Sequence, residues 1–311
     1  MQKTRFFPAY LNYVLVLLQK KDWRGKHRFY VWLSKHFANK VIIHNIDNRP
    51  FYVPVGEWCF WLEKGPENYY LDEFLPFCDV LNNLETPFTL FDLGADIGTV
   101  SSLVAVHCAK LKNVLAFEPN PKSFDVLSAN LDNFSQPAKC VQAAVSDFDG
   151  FATFHADTER LNDHEGYIAS KIENHLECHL ESHVESKGAG DTVVTSLDNW
   201  LVMQSQKSAQ HDFLLEKTLA LKIDVEGQEI QLLLGAKALI KNADKVIILI
   251  EVHPQVLART HHTPDDLFAT AEQFRDFDWT VPLYKNTPVN RELSFFDQVP
   301  VGQYDIIGIS R

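Results

Sequence analysis

The 311-residue sequence predicts an α/β fold, a mostly parallel sheet with helices on both faces, preceded by a leader of helices and strands. Three observations point there. From residue 88 onward, short apolar runs alternate with helical stretches, as in sheets covered on both sides. A tight turn with two glycines, Gly94 and Gly98, follows the first run and opens a helix. The hydrophobic content of 46% is enough for one large core.

The leader spans residues 1–85 and is rich in aromatics. It reads as helices over 6–20 and 26–38, strands over 41–46 and 50–54, and a further helix over 68–78, with Gly56, Gly65 and Pro66 as punctuation. The main domain, 86–311, begins with a strand over 89–93 and a helix over 99–111. A strand over 114–117, a helix over 121–131 and a third strand over 139–145 follow. After a strand at 151–154 and a helix over 196–203 come the fourth strand (219–225), a helix (228–240) and the fifth strand (245–252). Residues 304–310 alternate enough to be a late edge strand. An acidic, His-rich insertion occupies about 155–192. Its His175, His179 and His183 recur at a spacing that metal sites use, with Glu177 and Glu181 nearby. The segment lacks an apolar face, so a solvated or substrate-covering loop is the expectation.

The net charge of −12 argues against a nucleic-acid partner, since nothing would neutralise a row of phosphates. A local basic patch (Lys20, Lys21, Arg24, Lys26, Arg28) reads as solvated surface. Five scattered cysteines (Cys59, Cys78, Cys108, Cys140, Cys178) without a CxxC pair suit a reducing compartment. The apolar run from Phe6 to Leu18 is too short to span a bilayer, Asn12 interrupts it and no cleavage site follows. It reads as a buried or interfacial helix, and the protein as cytoplasmic with no transmembrane segment. The aromatic leader is the candidate surface for a homo-oligomer.

In the turn from Asp92 to Gly98, glycines let the backbone approach a ligand. A dinucleotide's pyrophosphate needs exposed N–H groups without competing negative charge. Here Asp92 ends the strand, Asp96 sits within the turn, and the third glycine of GxGxxG is absent. Two carboxylates repel a diphosphate and attract a sulfonium and an ammonium group, so Asp92, Gly94, Ala95, Asp96 and Gly98 fit S-adenosylmethionine better than NAD. Glu118, about 20 residues past Gly98 and followed by Pro119, can accept both ribose hydroxyl protons. Small residues around Ala144 would leave a flat slot for adenine, with Gln142, Ser146 or Asp147 for its exocyclic amine.

Six segments, in order, carry a family resemblance: Phe91-Asp-Leu-Gly-Ala-Asp-Ile-Gly98, Ala116-Phe-Glu-Pro-Asn-Pro121, Ala144-Val-Ser-Asp147, Ser196-Leu-Asp198, Leu221-Lys-Ile-Asp-Val-Glu-Gly227 and Ile250-Glu-Val-His253. Over about 85–260 the chain resembles FkbM-family methyltransferases, and Trp23-Arg24-Gly25-Lys26 in the leader is also similar. The resemblance implies a class I, Rossmann-like S-adenosylmethionine fold and O-methylation of sugar hydroxyls or natural-product-like metabolites. Asp96 stands where the family commonly carries Asn.

At the reactive end, Asp224 closes the fourth strand, and Glu251 and His253 lie two residues apart on the fifth, sharing a face. Methyl transfer needs the nucleophile aligned, water excluded and a hydroxyl proton removed. Asp224 and His253 are candidate bases. Asp224, Glu251 and His253 together are a candidate set for a divalent cation such as Mg²⁺, a concept shared with catechol-type O-methyltransferases. Lys222 alternates to the side of Asp224 as a charge partner. The expected acceptor is a small molecule or glycan. An NAD-linked oxidoreductase and a catalytically inactive cofactor-binding partner protein are the competing readings.

Overall fold

The strands form where β-branched and aromatic residues follow one another between turn residues. The computed structural model describes residues 5–155, 167–168, 191–207 and 215–311. The leader contains helices α1 (Ala9–Lys20) and α2 (Lys26–Phe37), strands β1 (Val41–Ile46) and β2 (Arg49–Pro54), the single turn α3 (Cys59–Leu62) and helix α4 (Leu71–Asn82). Strands β1 and β2 make a hairpin whose turn residues, Asp47 and Asn48, both have positive φ (49° and 61°). Asn and Asp tolerate that geometry better than other side chains.

The chain continues through β3 (Phe88–Leu93), α5 (Thr99–His107), β4 (Leu111–Phe117), α6 (Pro121–Leu131), β5 (Ala138–Val141) and β6 (Ala144–Val145). Next come β7 (Gly150–His155), β8 (Tyr167–Ile168), β9 (Asp191–Thr195), α7 (Leu197–Lys207), β10 (Thr218–Ile223), α8 (Glu229–Gly235) and α9 (Lys237–Asn242). It closes with β11 (Lys245–Val252), α10 (Pro254–Arg259), α11 (Pro264–Glu272), β12 (Phe277–Val281), β13 (Thr287–Pro288), α12 (Phe295–Gln298) and β14 (Tyr304–Ser310).

The main sheet has the order β13-β12-β14-β11-β10-β3-β4-β5. Strands β5, β4, β3, β10 and β11 run parallel, and β14 runs antiparallel to both its neighbours. This is the expected α/β fold. From β3 the chain builds outward to β4 and β5, then returns to β10 on the other side of β3. The cleft beyond the carboxyl ends of β3 and β10 is therefore the switch point where such sheets take ligands.

Each buried strand splits its side chains between two apolar layers. Phe91, Leu93, Leu221, Ile223, Ile248 and Ile250 face one layer; Leu90, Ala220, Ile247 and Leu249 face the other. The leader completes the second layer with Phe51, Val53, Phe60, Phe74 and Phe77. It also keeps a cluster of its own around Leu15, Tyr30, Leu33 and Trp61.

Several elements differ from the expectation. The third strand, expected over 139–145, is broken: the Ala143 N–H turns back to the Val141 carbonyl (3.0 Å), and β6 leaves to pair with β9 in a second sheet. The helix expected over 228–240 is two helices, parting where Gly235 meets the Ser146 carbonyl; a Cβ there would lie 2.0 Å from that oxygen. The helix expected over 68–78 starts at Leu71 and runs to Asn82, after a short 3₁₀ turn at Pro66–Asn68. The last strand is not at an edge, because β12 and β13 add outside β14. His175, His179 and His183 lie outside the described residues.

Asn130, fully buried on α6, ties the leader to the main sheet. Its amide nitrogen donates to the carbonyls of Tyr52 (3.1 Å) and Ile97 (2.8 Å), and its oxygen accepts from the Tyr52 N–H (2.7 Å). Removing one partner strands the others without water. Asn130→Ala is expected to lower unfolding stability by about 3 kcal/mol in a urea titration; a loss below about 1 kcal/mol would show that the leader is held by apolar packing alone.

Candidate active site

Alternation along four neighbouring strands places one row of polar residues above the leader-facing layer. On β3 it is Asp92, on β10 Lys222, on β11 Glu251 and on β14 Asp305. The register pairs Asp92 with Lys222 and Glu251 with Asp305. Asp224 follows the last residue of β10, and its N–H continues the ladder to the Leu93 carbonyl (3.1 Å).

Lys222 is the knot of this row. Its buried ammonium donates to the Gly94 carbonyl (2.6 Å) and to Asp224 Oδ2 (3.1 Å), and it lies 3.7 Å from Asp92 Oδ1. Burial alone would depress its pKa, but Asp224 and Asp92 override that and hold it above the usual lysine value. Asp92 is wholly buried, and its Oδ2 accepts from the Ser101 N–H (3.2 Å) and hydroxyl (2.6 Å) at the start of α5. Its charge thus serves Lys222 and the helix start. Asp92, expected to face a cationic ligand, is not part of the cavity lining, whereas Asp96 is.

Gly94 has φ +78°, and a Cβ on it would lie 1.8 Å from the Asp224 carbonyl oxygen, so only glycine fits. Asp96 also has positive φ (46°), and its N–H donates to Glu118 Oε2 (2.8 Å). The other oxygen of Glu118 accepts from the Asn120 N–H (2.7 Å). Burial, with Asp96 adding like charge, pushes the Glu118 carboxyl up to about 8.

These groups open on one cavity of about 730 Å³. Of the residues expected at a cofactor, Gly94, Ala95, Asp96, Glu118, Pro119 and Ala144 line it. Asp92 and Gly98 lie behind the lining, and Asp147 is exposed outside it. Phe117, Ala143 and Val145 add apolar surface beside Glu118.

The opposite end of the same cavity is acidic. Ligand atoms of Asp224, Glu226 and Glu251 lie within 4.8 Å of one another. Glu226 holds positive φ (52°), followed by Gly227 at 100°. Burial, then the charges of Asp224 and Asp305, push the Glu251 carboxyl well above its usual range, against a hydrogen bond from Gln303 Nε2. Asp305 is pushed up to about 7 by burial, with Glu73 and Asp224 adding to it. His253 lines the cavity but stands outside the acid triad. Its Nδ1 caps α10, accepting from the Val256 N–H (3.4 Å).

Sequence reasoning missed Glu73, Tyr69, Asp305 and the ligand-like position of Glu226. Only Glu226 carried a signal, an acid beside Gly227 just after a strand end. Asp305 and Glu73 come from opposite ends of the chain, and the Asp305 N–H donates to Glu73 Oε2 (2.8 Å).

Residues 92–275 match the Methyltransferase FkbM domain. The chain belongs to the FkbM methyltransferase family. The match begins at Asp92 and covers the turn, Glu118, Asp224 and the β11 end. A hexuronic acid methyltransferase, AglP, from Haloferax volcanii is 26% identical over 177 residues, 57% of this chain and 61% of that protein. The chain therefore spans less than two thirds of that relative's length. Among solved structures, a methyltransferase FkbM from Methylobacillus flagellatus KT aligns with 94% of this chain and 62% of its own (TM-score 0.40, 14% identity). A methyltransferase from Agrobacterium tumefaciens aligns with 87% and 70% (TM-score 0.40, 8% identity).

The raised Glu118 carboxyl has a pH signature. Its unfolded value lies near 4.5 and its folded value near 8. Between them the folded state holds the extra proton, so the ligand-free protein loses stability as pH rises through this window. Glu118→Gln is expected to flatten that loss by at least about 1 kcal/mol between pH 5 and pH 8 in urea titrations. An unchanged slope would mean that Glu118 is solvated.

Proposed function

We propose that this chain is an S-adenosylmethionine-dependent methyltransferase acting on a hydroxyl of a sugar or similar metabolite. One observation carries the reading: the Gly94–Asp96 turn facing Glu118 and the acids at the ends of β10 and β11 share one cavity. The cradle fits the cofactor, since the glycine backbone leaves open space, Glu118 suits ribose hydroxyls and Ala143 and Ala144 suit a flat base. When bound, S-adenosylmethionine supplies an electrophilic methyl group beside a positive sulfonium.

The protein's own part is positioning and proton removal. Asp224, fixed by Lys222, accepts a hydrogen bond from the acceptor hydroxyl and aims its oxygen into the cavity. Glu251, its proton affinity raised by burial and by Asp224 and Asp305, lines the same cavity. His253, in the same lining, is the second candidate base. A sugar acceptor agrees with the Haloferax relative's name, and Arg259 in the lining offers a cation for an acidic sugar. The net charge of −12 speaks for a small acceptor over nucleic acid. A second reading adds a divalent cation, because Asp224, Glu226 and Glu251 cluster as oxygen ligands do; Glu226 takes the position the sequence assigned to His253.

Calorimetry with S-adenosylhomocysteine and with NAD is expected to give heat with the first only; the reverse would make the protein an oxidoreductase. Asp224→Ala is expected to abolish methyl transfer to a glycan acceptor panel while cofactor affinity stays within about tenfold. Turnover equal to the parent would remove Asp224 from the reaction. A chelator is expected to leave the enzyme active if proton transfer alone suffices; loss of activity restored by Mg²⁺ would establish the metal reading.

A further inference from the structure

We infer that the outer faces of α1 and α2 dock the protein onto an anionic lipid surface. Tyr10, Tyr13, Val14 and Leu17 follow the i, i+3, i+4, i+7 spacing on α1 and are all exposed, Tyr10 by 75% and Tyr13 by 65%. On α2 the same spacing brings Arg28, Val31, Trp32 and Lys35 to one exposed face. An apolar or aromatic stripe with cations beside it is the composition of helices that lie in a membrane interface.

On α2 the Trp32 ring also meets Phe29, His36 and Phe37, while the α1 stripe is left outward because α1 is already anchored by its other side. There Leu15 is buried, Asn12 exchanges hydrogen bonds with the backbone of Ile43 (2.9 and 2.7 Å), and Gln19 bonds the buried His44 (2.5 Å). The outward residues therefore await something outside the chain.

Charge identifies the occupant. The first forty residues hold nine Lys and Arg against one acid, in a chain whose net charge is −12. Lys21, Arg24, Arg28 and Lys35 are exposed at the ends and flanks of the two stripes. A two-fold contact with a second copy would set one basic leader against another, which disfavours it. A surface of anionic headgroups over acyl chains satisfies both the cations and the aromatic rings. No helix among the described residues is long and apolar enough to cross a membrane, so the contact is interfacial.

Co-sedimentation of the full chain with phosphatidylcholine vesicles, with and without phosphatidylglycerol, tests this. Binding is expected only with phosphatidylglycerol and is expected to weaken with salt. Arg28→Gln and Lys35→Gln should each lower partitioning about fivefold. Tyr13→Ser with Leu17→Ser should lower it about tenfold or more, at an unchanged circular-dichroism melting curve. Absence of binding, equal binding to neutral vesicles, or full binding by the substituted proteins overturns the proposal. So does self-association in sedimentation velocity that these substitutions abolish, which would assign the face to a second copy.

Discussion

A cation buried in the middle of the sheet governs this site. Taking an ammonium out of water costs several kcal/mol unless close partners replace the lost hydration. Lys222 finds them in Asp92 on β3, Asp224 just past the end of β10, and the Gly94 carbonyl in the turn from β3 to α5. One side chain thereby sets how the Gly94 turn sits relative to Asp224. Asp224 in turn brings the cluster up to Glu226 and Glu251.

The parallel strands were legible because strands buried on both faces are apolar at nearly every position, a pattern that survives without tertiary information. The break after Val141 was not legible: Cys140 to Val145 reads as one run, and only pairing with β9, some fifty residues onward, pulls Ala144 and Val145 away. The interior place of β14 was hidden for the same reason, since alternation says that a strand is amphipathic but not which strands will flank it. Asp92 was read as ligand charge because it ends a strand beside a glycine turn. The pleat instead directs it into the layer beneath, toward Lys222 and Ser101.

Within the site, the family motifs marked Asp224 and Glu251, and geometry joined them. The electrostatics needed coordinates. Glu118, Glu251 and Asp305 all resist ionising because burial removes water and their neighbours share their sign. A cation entering the cavity would favour their ionised forms, whereas a diphosphate would oppose them.

The position of β14 carries a consequence for how the protein is made. The cradle around Gly94 and Glu118 is complete once β10 has joined β3. The acidic wall is not, because Asp305 reaches Glu251 and Glu73 only through β14, which lies between β11 and β12. Synthesis runs from the N-terminus, so the residues around Gly94 and Glu118 leave the ribosome long before Asp305 does. The last strand adds the Asp305–Glu73 bond to a junction of leader and sheet that Asn130 and the shared apolar layer already make.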